Sequence, residues 1–173
     1  MLSEQEKIDL ITQISLDINK VKDLDLLLES ILTNSRTFFN ADAGSIYLKH
    51  GDELRFSYTQ NVTLQKRLGT GKKLVYTTFT IPINSRSIAG YVAEHCELIN
   101  IPDVYRMSTT VPYTWDSEFD KVSRYTTRSM LTVPMTTHRG EVLGVMQLIN
   151  AQDEAGQITA FSPASATWAY PQR

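Results

Sequence analysis

Apolar residues recur along this chain with two periods, and the change from one to the other divides it. Ile11, Ile14, Ile18 and Val21 alternate spacings of three and four, which predicts a helix carrying a narrow a/d stripe, and Ser3 followed by Glu6 supplies a capping box at its start. The stripe is two heptads long, so two readings stand: a dimeric coiled coil, or packing against the chain's own domain. Asp23 caps a second helix in which Leu24, Leu27, Leu28, Ile31, Leu32, Phe38 and Phe39 form a broad apolar face expected to meet a core. The period then shortens to two. GSIYLKH and ELRFSYT predict an antiparallel hairpin turning at His50, Gly51 and Asp52, with Leu54, Phe56 and Tyr58 alternating with Glu53, Arg55 and Ser57.

The stretch from Gln60 to Lys73 is polar, carries Gly69 and Gly71, and reads as a surface loop or a short irregular helix; Phe79 to Ile83 is extended again. Ser87 caps a helix of fewer than three turns whose start, Ala89 and Gly90, is small enough to leave its first amides approachable by an anion. Beyond Pro102 a segment rich in Tyr105, Tyr113, Trp115, Phe119 and Tyr125 is too aromatic and too long for a passive connection, and predicts a lid or pocket wall with one short helix near Ser117 to Val122. Two strands follow, Ser129 to Thr136 and Glu141 to Asn150, joined through His138, Arg139 and Gly140. Antiparallel strand signals with helices at the start and one inserted in the middle give an α+β fold class.

A chain of 173 residues, 42% hydrophobic and 21% charged, suits one globular domain with a full core. Its formal net charge of −2 provides no footprint for nucleic acid or an anionic membrane, so neither is expected as a partner. The start MLSEQEKIDL is charged where a signal peptide needs an apolar run, and no stretch approaches the roughly 20 apolar residues that span a bilayer, so a cytoplasmic location is expected. A single cysteine, Cys96, excludes an internal disulfide and a multi-cysteine metal site.

On a regular strand Gln147 shares a face with Leu143, Val145 and Ile149, which places an amide on an apolar surface. Burying that amide unpaired costs on the order of 1 to 3 kcal/mol, so either a backbone or water partner meets it or a ligand's hydrogen-bonding edge does. Ser45, between Ala43 and Tyr47 in the first strand pattern, carries the same two readings. Asp120, Ser123 and Thr127 gather short polar side chains around the short helix, suited to a heterocycle or to local capping. His95 and Cys96 are adjacent, and adjacent side chains on a helix diverge by about 100°, so packing rather than metal binding is expected of them. His50 and His138 fall in predicted turns, and no nucleophile elbow positions a serine, so no catalysis is expected.

Three blocks in a set order, SIAGYVAEHCELINIPDV (Ser87 to Val104), FDKVSRYTTRSMLTVPM (Phe119 to Met135) and GEVLGVMQLIN (Gly140 to Asn150), resemble the GAF domains of cyclic-nucleotide phosphodiesterases and their bacterial relatives. The resemblance runs from Val21 to Phe161. It implies a central antiparallel sheet with helices packed on one face and a ligand pocket on the other, and a small-molecule sensor regulating a neighbouring effector. The chain then divides into an N-terminal helix over 1–20 with an expected role in homodimerisation, the GAF domain over 21–161, and an atypical tail over 162–173. Carried over residue by residue, the resemblance implies ligand contacts from Ser45, Ile88, Ala89, Asp120, Ser123, Thr127 and Gln147. Ile88 and Ala89 act through backbone amides toward a cyclic phosphate, and Asp120 and Gln147 face the base or sugar. A bound cyclic nucleotide is the one small molecule implied, with no resident cofactor or metal; the expected partners are that ligand and a second copy of the chain.

Departures from the family pattern add a second function class. Arg124 stands in the run SRYTTR where the family has Gly, Ala151 follows Asn150 where it has Lys, and no acidic pair follows Phe161. The ending SPASATWAYPQR has two prolines and no helical stripe. The alternative to a sensor is therefore a dimerisation and relay module with an empty or vestigial pocket. A third reading, methionine sulfoxide reduction on the same fold, needs a reactive cysteine and resolving partners, and Cys96 alone argues against it.

Overall fold

The computed structural model describes residues 23–72 and 74–163. The capping box at Ser3, the stripe from Ile11 to Val21 and the tail beyond residue 163 lie outside the described residues. Residues 23–38 are helical (α1) and lead into the hairpin β1 (Ala41–His50) and β2 (Glu53–Asn61), where His50 pairs with Glu53 and Gly51 takes the left-handed conformation that a two-residue turn requires, φ 61°. There follow α2 (Val62–Leu68), β3 (Thr80–Pro82), α3 (Ile88–His95), β4 (Ile99–Ile101), a 3-10 turn at Val104–Arg106, α4 (Glu118–Ser123), β5 (Met130–Thr136), β6 (Val142–Gln152) and the short β7 (Ile158–Thr159).

The strands form one antiparallel sheet in the order β3-β2-β1-β6-β5-β4, with β7 paired to β6. The first three strands make one meander and β4, β5 and β6 another, and the two join where β1 pairs with β6. Alternation along the strands sorts side chains to two layers. On one face Leu28 and Leu32 of α1 pack on Ile46, Leu131, Val133 and Leu148. Gly44 permits this approach, because a Cβ there would stand 2.8 Å from Leu32 Cδ1. On the other face Ile88, Ala89, Val92 and Ala93 of α3 pack on Tyr47, Phe56, Met130 and Val145.

Polar stretches resolve where capping chemistry is available. The Gln60 to Lys73 stretch forms α2 because the Asn61 side chain accepts from Leu64 N at 2.8 Å. Three expectations need correction. The face of α1 is narrower than its leucines imply: Leu28 and Leu32 are buried, but Leu24, Leu27 and Phe38 are 43%, 55% and 67% exposed, since one row of the helix meets the sheet and the rest overhangs it. Leu143 does not share the face of Gln147. The register of β5 and β6 shifts between Met135 and Thr136, the extra residue turns Leu143 outward, and Val142 packs against the α3 layer instead. Finally, the helices do not keep to one face of the sheet, because α1 and α3 cover opposite faces.

Candidate functional site

The face under α3 carries a polar row that crosses four strands. Register places Thr59, Ser45, Gln147 and Thr132 side by side on β2, β1, β6 and β5. Ser45 Oγ and Thr59 Oγ1 are 3.0 Å apart, and Thr59 Oγ1 also donates to the Gly44 carbonyl at 2.9 Å. Gln147 is buried, yet its Nε2 has only long contacts, 3.3 Å to Met130 Sδ and 3.4 Å to Thr132 Oγ1. A thioether is a weak acceptor, so this amide is under-used.

At one side of this floor Ser87 begins α3. Its Oγ accepts from Gly90 N at 3.0 Å, which leaves the amides of Ile88 and Ala89 as first-turn donors with no intrahelical acceptor. Both residues are buried in the same cluster as Met130, the neighbour of Gln147. Gly90 lets the incoming loop lie against the helix, since a Cβ would meet Asn84 O at 2.5 Å and Pro82 O at 2.6 Å.

The roof is aromatic. Tyr76, Tyr91, Tyr113 and Trp115 pack on the α3 layer, Tyr76 stacks over Phe119 of α4 with ring centroids 6.3 Å apart, and Trp115 meets Tyr105 edge-on at 6.4 Å. The Trp115 Nε1 and Tyr76 OH atoms are buried without a hydrogen-bond partner, although the nearby Thr59 hydroxyl relieves part of the upward push that burial gives the Tyr76 phenol.

The expected trio separates into two behaviours. Asp120 is buried and held by three donors of the chain: Tyr105 OH donates to Oδ2 at 2.8 Å, Thr127 N to the same oxygen at 2.7 Å, and Thr127 Oγ1 to Oδ1 at 2.8 Å. The bond to that carboxylate is the main reason the Tyr105 phenol titrates above its ordinary range. Ser123 serves its own turn, donating to Phe119 O at 2.6 Å and accepting from Tyr125 N at 3.2 Å. Ser45 and Gln147 thus face each other across one strand pair, Asp120 and Thr127 bond to each other, and among the described residues no hydrogen bond joins the two groups.

A second polar knot lies beside Thr127. Tyr125 OH donates to Asp42 Oδ2 at 2.9 Å and accepts from Asn150 Nδ2 at 2.9 Å, while Asn150 also donates to Thr126 O and accepts from Arg128 N. Burial first, and then the Asp42 charge, hold the Tyr125 phenol far above the usual range. Sequence patterning passes over Thr132 and Asp42, and reads Tyr105 and Tyr125 as lid or pocket wall without their bonds to Asp120 and Asp42. Thr132 alternates with Met130 and Pro134 and could have been found from that period alone, but the other three are positioned by long-range pairing.

Among the described residues no three His, Cys, Asp or Glu side chains converge as a metal ion would require, and no helix is long and apolar enough to cross a membrane. The family model for the GAF domain matches residues 23–167. The chain is 30% identical over 156 residues to the dual 3',5'-cyclic-AMP and -GMP phosphodiesterase 11A of Takifugu rubripes, covering 86% of this chain and 16% of that protein. It is 28% identical over 156 residues to the cGMP-specific 3',5'-cyclic phosphodiesterase of Drosophila mojavensis, covering 86% of this chain and 13% of that protein. The chain therefore spans a small part of these relatives. In fold it is similar to the GAF domain of a phosphoenolpyruvate-protein phosphotransferase from Coxiella burnetii, with a TM-score of 0.58, 19% identity, and coverage of 94% of this chain and 87% of that one.

Proposed function

This chain belongs to the GAF-domain family, and from that premise we propose that it is a regulatory relay module of a signalling protein. It passes changes in helix arrangement to a neighbouring unit and does not read a cyclic nucleotide. The observation that carries this reading is the engagement of Asp120: its three donors, two on Oδ2 and one on Oδ1, are all the chain's own, so the carboxylate is already held by Tyr105 and Thr127 rather than offered to a base or sugar. Ser123 is engaged in its own turn in the same way. The output surface is helical. Leu24 and Leu27 of α1 are exposed, and homodimerisation through the stripe from Ile11 to Val21 is part of this reading.

A second reading, a small-molecule sensor with Ser45, Ile88, Ala89, Thr127 and Gln147 around its ligand, is favoured by one observation: Gln147 Nε2, Trp115 Nε1 and Tyr76 OH all lack good partners under the aromatic roof. Titration calorimetry of the full chain with cGMP and cAMP, beside sedimentation equilibrium, separates the two. The relay reading expects a dimer and no heat of binding. Saturable micromolar binding of either nucleotide would replace it with the sensor.

A further inference from the structure

Basic charge is spread unevenly along this chain. Between Glu53 and Glu94 there is no acidic residue, and six of the 17 Lys and Arg fall there, which leaves the rest of the chain with 11 basic residues against all 19 acidic ones. The fold brings three of the six to one corner. Lys66 and Arg67 lie in the last turn of α2, and Lys72 follows in a loop that Gln65 fastens, donating to Lys72 O and accepting from Leu74 N at 3.3 Å. Arg67 Nη1 reaches Arg124 O at 2.8 Å, which adds the basic end of α4. Lys66, Arg67, Lys72 and Arg124 are all exposed, and among the described residues none of the four forms an ion pair.

Apolar residues stand exposed beside them. Phe119 and Val122 are three apart on α4 and share a face; Val122 is 83% exposed, and Phe119 stacks on Tyr76, the neighbour of the 92% exposed Val75. Leu68, the last residue of α2, is exposed as well. Beneath this layer Leu64 and Tyr125 pack with Ala43, and Leu74 packs against them, so α2, the loop and the exit of α4 cover one small core together. Arg124 marks the corner in a second way. It holds the left-handed conformation, φ 53°, in which Gly is the more stable residue, and no hydrogen bond of its side chain offsets that strain.

We propose that this corner is a docking surface for an acidic segment of a partner protein that carries apolar side chains between its carboxylates. The four unpaired cations meet the carboxylates, and Val75, Phe119 and Val122 meet the apolar side chains. Charge distribution selects this occupant. A membrane of anionic lipid, or a nucleic acid, extends its negative charge well past the corner, and the excess of acidic residues over the rest of the chain opposes the approach of either. A short segment meets the corner alone. The inference goes beyond the relay reading, since it requires neither a dimer nor an empty pocket.

The test is an NMR titration of the full chain with a short synthetic peptide of Glu, Leu and Ala whose leucines recur at helical spacing. Saturable amide shifts are expected within 66–76 and 119–124, lost at high salt and absent with the same peptide carrying Gln for Glu. Lys66→Glu combined with Lys72→Glu should weaken binding about tenfold, by setting like charges against the peptide. Arg124→Gly relieves the strained backbone, so the fold is kept, yet it should weaken binding about threefold through the loss of one cation. No shifts, shifts confined to other elements, or an affinity unchanged in either variant overturns the proposal. Tighter binding to vesicles of phosphatidylserine and phosphatidylcholine, or to duplex DNA, than to the peptide overturns it too, by giving the corner to an extended anionic surface.

Discussion

Arg124 ends α4 with φ 53° and ψ 30°, in the left-handed region where a Cβ crowds the following carbonyl. The position where the family carries Gly is thus one where the backbone asks for Gly, and this chain keeps the conformation with Arg. Nothing in the contacts of the Arg124 side chain compensates: the bond that fastens this point is Arg67 Nη1 to its main-chain oxygen, 2.8 Å, which any residue would offer. Arg124→Gly is therefore expected to raise the unfolding free energy by about 1 kcal/mol in urea titration. A loss of stability would mean that the arginine side chain holds α4 in a way the hydrogen bonds do not express. Asn150 shares the left-handed conformation, φ 57°, but there the side chain's three hydrogen bonds make the residue type necessary.

Among the elements, α3 was the most legible in the sequence, because its cap, its small first turn and its short length are all local signals. Ser87→Ala should cost about 1 kcal/mol, the usual loss for an N-cap oxygen, read as a lowered urea midpoint with an unchanged slope. The hairpin of β1 and β2 is also a local signal, whereas 60–73 reads only as a surface loop or short irregular helix and the Asn61 cap of α2 goes unread. The rest depended on pairing. Leu143 looked like a core position because period two was extended through it, and only the register shift against Met135 and Thr136 turns it out. Leu24 and Leu27 belong to the apolar face that helical spacing defines, but the width of sheet beneath that face is set by strand pairing and leaves them exposed. At the site, Ser45 opposite Gln147 is a register fact, and the bonds of Tyr105 and Thr127 to Asp120 depend on the path of the aromatic segment.

For the molecule as a whole, two buried phenols set the alkaline limit of stability. Burial holds Tyr47 and Tyr125 above the ordinary tyrosine range, so each folded pKa exceeds its unfolded value. Such a group contributes stability that is fully present below the unfolded pKa, about 10, and is lost as pH rises beyond it. The urea midpoint should stay level to about pH 9.5 and fall above about pH 10, and Tyr47→Phe should make that fall shallower. An equally steep fall in the variant would assign the alkaline loss to other groups. The seam between the two meanders bears on how this chain is made. Each meander can assemble from strands that follow one another, but β1 must wait for β6, and the bond from Asn40 Nδ2 to Gln152 O at one end of that seam spans 112 residues. Until β6 leaves the ribosome, the inner edge of β1 stands open with unpaired amides and carbonyls. Closing so long a loop is also the slow step that topology imposes on folding. The nascent first meander is therefore the stage at which a chaperone, or another copy of the same strand, finds its opportunity.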